Sequence, residues 1–220
     1  MKVAILLFPG VTALDAIGPY EVLARVPGAE VTFVAAQAGP QETDTGRTSI
    51  MAETPMEQYQ GARVVLVPGG PGSREAMEDE ATIEWLRSIS ANTDWTTSVC
   101  TGSLVLAAAG LLEGRRATTH WLYLERLREL GCLPIKERVV TDGKFITAAG
   151  VSAGIDMALT LVAQATGPEL AEAIQLGIEY DPQPPFNSGS PGSAPPETVE
   201  LVTALAARSD RWLEDRLSGN

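Results

Sequence analysis

Short apolar runs alternate along the chain with longer segments in which apolar positions recur every three or four residues. That is the pattern of a parallel sheet covered by helices on both faces. Val3 to Phe8 is apolar enough for a strand buried on both sides. Asp15 to Val26 follows as a helix, in which Pro19 is tolerable only near the first turn. Glu30 to Ala36 and Arg63 to Val67 read as the next strands, the latter ending in Pro68-Gly69-Gly70-Pro71-Gly72. Thr82 to Ser90 places Ile83, Leu86 and Ile89 on one helical face, and Trp95 to Val99 is a fourth strand running into Cys100. Thr101 to Ala109 resumes as a helix stopped by Gly110, and Trp121 to Leu130 as another stopped by Gly131. Val139 to Thr147 contains Asp142-Gly143 between apolar runs, a strong hairpin signal. Ser152 to Ala165 and Pro168 to Ile178 complete the helices of this part.

Tyr180 to Pro196 holds six prolines and little apolar periodicity, and a last helix is expected from Glu197 to Arg216. So few residues follow the proline-rich stretch that it reads as a surface loop before a docking helix, not as a linker between domains. The expectation is one domain over residues 1–220.

Composition narrows the class. The 220 residues are 45% hydrophobic and 20% charged, ordinary for a globular chain that needs neither disulfide nor metal to fold. Sixteen Lys+Arg against 28 Asp+Glu give a net charge of −12, which opposes binding to nucleic acid or anionic lipid. The opening MKVAILLFPG is too short for a signal peptide and stops at Pro9-Gly10, so it reads as a first strand. No stretch approaches the ~20 apolar residues of a membrane span. Two cysteines 32 positions apart form neither a disulfide framework nor a CxxC pair. A cytoplasmic protein is expected.

Cys100 lies where strand hands over to helix, in Ser98-Val99-Cys100-Thr101-Gly102-Ser103. Small residues around a nucleophile let the backbone fold into a tight elbow. The free N–H groups and dipole of the helix would favour thiolate over thiol and stabilise an anion on a substrate. The bland alternative is a cysteine filling a core gap. Cys132, between Gly131 and Leu133-Pro134, has only that reading.

The single histidine, His120 in Thr118-Thr119-His120-Trp121, is a base for Cys100, a pocket wall or a structural residue; spacing does not choose among these. Asp15 follows the first strand and so faces the same sheet edge as Cys100. Near a thiolate its protonated form would be favoured, making it a proton donor; otherwise it is an N-cap. Backbone amides around Gly70 can approach a ligand, whereas the absence of GxxxxGK[ST] argues against a phosphate loop. Met51, Met56 and Met77 read as core or surface fillers, and one histidine is too few for a multi-imidazole metal site.

Four segments together resemble the ThiJ/PfpI superfamily, whose domain is similar to that of class I glutamine amidotransferases: LLFPGVTALDAIGPYEVL, VLVPGGPG, SVCTGSLVLAAAGLLEGRRATTHW and VSAGIDMALTLV. The resemblance covers roughly residues 1–180. It implies an α/β, flavodoxin-like three-layer sandwich with a mostly parallel sheet, helices on both faces and a small β-hairpin. It also implies a homodimer with the active cysteine close to the dimer contact. Thr101 replaces the histidine that follows the cysteine in the protease branch, which counts against peptidase activity, and Asp15 stands where other branches carry a glutamate. Cys-Thr-Gly with Asp-x-x-Gly-Pro is similar to two branches, helix-turn-helix regulators and isonitrile hydratases. The absence of a basic DNA-binding module and the segment Ile178 to Pro191 favour the second.

The resemblance thus implies a hydro-lyase acting on a small-molecule isocyanide, with no cofactor, no metal, no nucleic acid and no membrane. Cys100 would attack the isocyanide carbon while Asp15 delivers the proton, and water would then hydrolyse the thioimidate. Thr101 would hold Asp15 or the water, and the amides at Gly70 and Thr101 would stabilise charge. His120 and Tyr180 are the expected substrate-binding side chains, with Trp121, Tyr123 and Phe186 as further apolar walls. A cysteine-dependent glyoxalase or deglycase, a redox sensor and a ligand-binding regulator are the competing classes.

Overall fold

The computed structural model describes residues 1–217, with side chains through residue 207. Two compact units divide the chain, Met1–Glu179 and the residues from Tyr180 onward.

The first unit opens with β1 (Lys2–Leu6) and α1 (Ala13–Leu23), then β2 (Glu30–Ala35), a hairpin of β3 (Gly39–Glu42) with β4 (Ser49–Ala52), and β5 (Thr54–Pro55). It continues through β6 (Val64–Val67), α2 (Ser73–Glu78), α3 (Glu80–Asn92), β7 (Trp95–Val99) and α4 (Gly102–Ala108). After β8 (Arg116–Ala117) come α5 (Leu124–Glu129), β9 (Leu133–Pro134), β10 (Val139–Asp142), β11 (Phe145–Ala148), α6 (Ala153–Thr166) and α7 (Pro168–Gly177). The main sheet has the order β10-β11-β7-β6-β1-β2-β5, parallel throughout except for the antiparallel β10. One helical layer holds α1, α6 and α7; the other holds α2 to α5. This is the expected flavodoxin-like three-layer sandwich. Val3, Ala4 and Ile5 of β1 and Val64 to Val67 of β6 are completely buried, so the sheet centre is covered on both faces.

Several elements depart from the sequence reading. Helix α1 starts at Ala13, so Pro19 lies inside it, where it cannot donate to the Asp15 carbonyl. Packing offsets that loss: a Cβ on Gly154 of α6 would lie 3.0 Å from the Pro19 ring, and one on Gly18 would lie 3.1 Å from Ile155. The two helices therefore approach closely at the Gly-Pro step. The segment expected as one helix over 121–130 is a 3-10 turn, Trp121–Tyr123, followed by the six-residue α5. His120 Nδ1 accepts the Leu122 amide at 3.4 Å and caps that turn. The β3–β4 hairpin and α2 have no counterpart in the sequence reading. Gly39-Pro40-Gln41-Glu42 is polar on both faces, and α2 is too short to show a period.

In the second unit, α8 (Pro196–Leu217) follows an irregular, exposed stretch, with Phe186 77% exposed. Among the described residues no helix is long and apolar enough to cross a membrane.

Candidate functional site

The site lies where the strand order reverses. Having run from β1 to β2, the chain resumes with β6 on the other side of β1 and then β7. Loops at the carboxyl ends of these strands form a crevice at such a switch point. Cys100, Asp15 and the Gly69-Gly70 turn all lie on these loops or on the helix that follows.

Cys100 has φ +56, a left-handed conformation that costs a residue bearing a Cβ about 1–2 kcal/mol. The turn is held from both sides. Its N–H donates to Ala148 O (3.1 Å) and Ala149 O (2.9 Å), and its carbonyl accepts from Thr119 Oγ1 (2.9 Å) and Ser103 Oγ (3.2 Å). Gly102 allows α4 to begin against the end of β6, since a Cβ there would meet Val67 O at 2.0 Å. The elbow expected from the sequence is thus built by strand β11, by Thr119 and by one indispensable glycine.

Asp15 is fully buried in the first turn of α1. It does not cap the helix: Thr12 is the N-cap, and its hydroxyl points away to Asp44 Oδ2 at 2.7 Å. Asp15 Oδ2 accepts the Gly69 amide at 2.9 Å, while Oδ1 has no directed hydrogen-bond partner among the described residues. The Cys100 side chain also acts on the carboxyl.

Burial dominates the ionisation of this pair. It pushes Asp15 up to about 7, opposed by the Gly69 amide and the Cys100 thiol and assisted by the charge of Asp44. Burial, followed by the negative charge of Asp15, pushes the Cys100 thiol up to about 12. The Thr101 amide, the Val151 amide and the Thr101 hydroxyl pull it the other way. Burial of the sulfur and the charge of Asp15 thus work against the thiolate that the helix terminus was expected to favour. Cys132 is simply buried, its thiol pushed up to about 11.

The remaining expected residues fall differently. Thr101 Oγ1 accepts from the Gly70 amide (3.0 Å) and the Ser73 hydroxyl (3.0 Å) and donates to Gly70 O (3.3 Å). The Thr101 hydroxyl bonds to Gly70 and Ser73, not to Asp15. The Gly70 amide is likewise committed to Thr101, so the amides directed at sulfur are those of Thr101 and Val151. His120 makes no hydrogen bond to Cys100 among the described residues. Its ring edge lies over Gly150, 2.9 Å from where a Cβ would be, with Trp121 and Tyr123 at 5.8 and 6.1 Å between ring centroids. Burial lowers its pKa, so it stands as a neutral wall beside the loop that carries Val151. Tyr180 opens the second unit, as Phe186 follows in it, and neither belongs to the unit that holds Cys100.

The Gly69 amide belongs to the segment 68–72 expected to supply backbone donors, and it serves Asp15, whereas Ser73 and the role of the Val151 amide escape the sequence reading. Ser73 follows directly on Pro68-Gly69-Gly70-Pro71-Gly72, a position that could have drawn notice; Val151 opens the VSAGIDMALTLV segment, but no side-chain chemistry there points to its backbone amide. Together the groups can add a thiol to an electrophile while one buried carboxyl carries the proton.

The chain matches the DJ-1/PfpI family over residues 1–164. It is 47% identical over 209 residues to the isonitrile hydratase of Pseudomonas putida, covering 95% of this chain and 91% of the relative. It is also 35% identical over 149 residues to the HTH-type transcriptional regulator CdhR of Pseudomonas aeruginosa, covering 67% of this chain and 43% of the regulator. Among solved structures, a ThiJ/PfpI family protein from Pseudomonas syringae is 37% identical with a TM-score of 0.92, covering 100% of this chain and 90% of that one. On its fold, its elbow and these matches, the chain belongs to the DJ-1/PfpI family.

Proposed function

We propose that the protein is an isonitrile hydratase, adding water to an isocyanide to give an N-substituted formamide. The observation that carries this reading is the buried pair of Asp15 and Cys100, which holds one mobile proton beside a nucleophilic sulfur. The likeness to the P. putida enzyme over nearly the whole chain supports the substrate class.

The terminal carbon of an isocyanide needs both a nucleophile and a proton, and the pair supplies both. As sulfur bonds to that carbon, the Asp15 carboxylate takes the thiol proton and passes it to the same carbon, giving a thioimidate. Water then adds across the C=N bond, its oxygen to carbon and one proton through Asp15 to nitrogen. Breaking the C–S bond sends the hydroxyl proton through Asp15 back to sulfur and releases the formamide. Atoms and protons balance with no cofactor. The Thr101 and Val151 amides and the Thr101 hydroxyl stabilise the sulfur as it leaves. His120 forms part of the wall.

The test is formamide production from an aryl isocyanide by the native protein and by Cys100→Ala. Turnover that disappears with Cys100 is expected. Equal turnover by the variant would remove the covalent step. Loss of methylglyoxal in place of isocyanide, dependent on Cys100, would replace the hydratase with a carbonyl-directed enzyme.

A further inference from the structure

Three hydrogen bonds close a ring around the Asp15 carboxyl. Thr12 N–H donates to Gly69 O at 2.9 Å, Gly69 N–H donates to Asp15 Oδ2 at 2.9 Å, and Asp15 N–H donates to Thr12 O at 3.0 Å. Thr12 therefore sets where the Gly69 amide meets the first turn of α1. As N-cap it would ordinarily turn its hydroxyl back to accept an amide of that turn. It makes no such bond, and the hydroxyl donates outward to Asp44 Oδ2 at 2.7 Å. Asp44 is held in its turn by the β3–β4 hairpin. Its N–H donates to Val11 O at 2.9 Å, Gly10 N–H donates to Glu42 O at 2.8 Å, and Thr43 pairs with Val11. Within the hairpin tip, the Thr43 hydroxyl donates to Thr48 O at 3.1 Å and Gly46 N–H to Thr43 O at 2.9 Å. A hairpin that adds no strand to the main sheet thus brings a carboxylate to the turn that opens α1.

We infer that Asp44 is a positioning residue for Asp15: through the Thr12 hydroxyl it locks the ring that ties Oδ2 to Gly69 and leaves Oδ1 as the oxygen that carries the proton. A hydroxyl bonds about twice as strongly to a carboxylate as to a neutral acceptor, which holds the Thr12 side chain outward. Without Asp44 that hydroxyl is released to cap the helix, and the ring loses its fixed corner. The charge of Asp44 also favours the protonated form of Asp15. The other ionisable group that acts on this carboxyl is Cys100 on the elbow. Asp156, the only charged residue of the α6 helix packed on α1, pairs with Arg138. The inference deepens the proposed hydratase chemistry and rests on it for the proton-carrying step, but the hold on the carboxyl does not depend on the substrate.

Two readouts separate those levels. The first is the Gly69 amide proton resonance, followed against pH by NMR, which titrates with Asp15 while the two are bonded. The second is kcat and KM for an aryl isocyanide over the same pH range. Asp44→Ala and Thr12→Val are each expected to cut the amplitude of the Gly69 titration about twofold and to lower kcat about fivefold, with KM little changed. Asp44→Asn, which keeps an acceptor for Thr12, should recover both. It should also move the midpoint below about 7 by a fraction of a pH unit, because the charge it removes is exposed and screened. The double variant of Asp44→Ala with Thr12→Val should be no worse than Thr12→Val alone. A native Gly69 titration in Asp44→Ala, a native kcat despite its loss, no recovery in Asp44→Asn, or additive effects in the double variant would overturn the inference. A flattened Gly69 titration that Asp44→Asn restores, in a protein that turns over no isocyanide, would uphold the role of Asp44 and reject the hydratase reading.

Discussion

Asp15 keeps an ionisable carboxyl where no water reaches it, with only one of its two oxygens in a directed hydrogen bond. Its pKa, raised from 3.8 to about 7, sets both activity and stability. For activity, the carboxylate must take the thiol proton, so kcat/KM should rise with pH around a midpoint near 7 and fall away below it. A pH profile flat from 5 to 9 would contradict that role. Asp15→Asn should abolish turnover at every pH. For stability, the folded state holds the Asp15 proton more tightly than the unfolded chain does. Protonation thus favours folding at acid pH, and this advantage is lost as pH rises from about 4 through about 7. Three pH units correspond to about 4 kcal/mol. Asp15→Asn, neutral throughout, should therefore be as stable as the native protein near pH 4 and more stable by up to about 4 kcal/mol at pH 8. Denaturant unfolding at the two pH values checks this. Equal stability at both would mean that the carboxylate is better solvated than its burial implies.

At the scale of elements, the elbow depends on backbone packed against backbone. A methyl group on Gly102 would sit 2.0 Å from Val67 O and 2.7 Å from Pro68 O, with no flexible side chain to yield. Gly102→Ala should force α4 off the end of β6, cost more than about 3 kcal/mol and lower Cys100 reactivity with it. Gly110 has φ +74 but nothing near it, so Gly110→Ala should cost only the strain of its conformation, about 1–2 kcal/mol, and leave Cys100 untouched. Thermal unfolding together with Cys100 alkylation distinguishes the two; equal costs would sink the argument. The same contrast shows what could be read from the sequence. The strands that carry the site were legible because Val3 to Leu6 and Val64 to Val67 are continuous apolar runs, and Cys100 because small residues flank it at a strand end. Thr101 itself was legible, but its partners were not. Hydrogen bonds from Gly70 and Ser73 to Thr101 span about thirty residues, and no local pattern announces them. The opposition to a thiolate was hidden for a related reason. A helix terminus is visible in the sequence, whereas the burial of the sulfur is a property of the assembled layers.

For the molecule as a whole, the seven-stranded sheet, Asp15, Gly70, Ser73, Thr101, Cys100, His120 and Val151 all belong to the unit Met1–Glu179. A unit of that size buries enough apolar surface to fold by itself, whereas the residues from Tyr180 onward are near the ~40-residue limit below which a chain needs outside support. Their irregular stretch is exposed and, among the residues whose side chains are described, their helix presents Leu201 and Leu205 at more than half exposure. The chain ended at Glu179 should therefore unfold in one cooperative transition and keep the native rate of Cys100 alkylation. Residues 180–220 as a separate peptide should show only marginal helix by circular dichroism. Isocyanide kinetics on the shortened chain, set beside those of Tyr180→Phe and Tyr180→Ala in the full chain, then test Tyr180. If it binds substrate, KM rises while the pH midpoint near 7 stays in place, because the groups that set that midpoint remain. A shortened chain that melts without cooperativity would show that the sandwich depends on the residues after Glu179 for its stability.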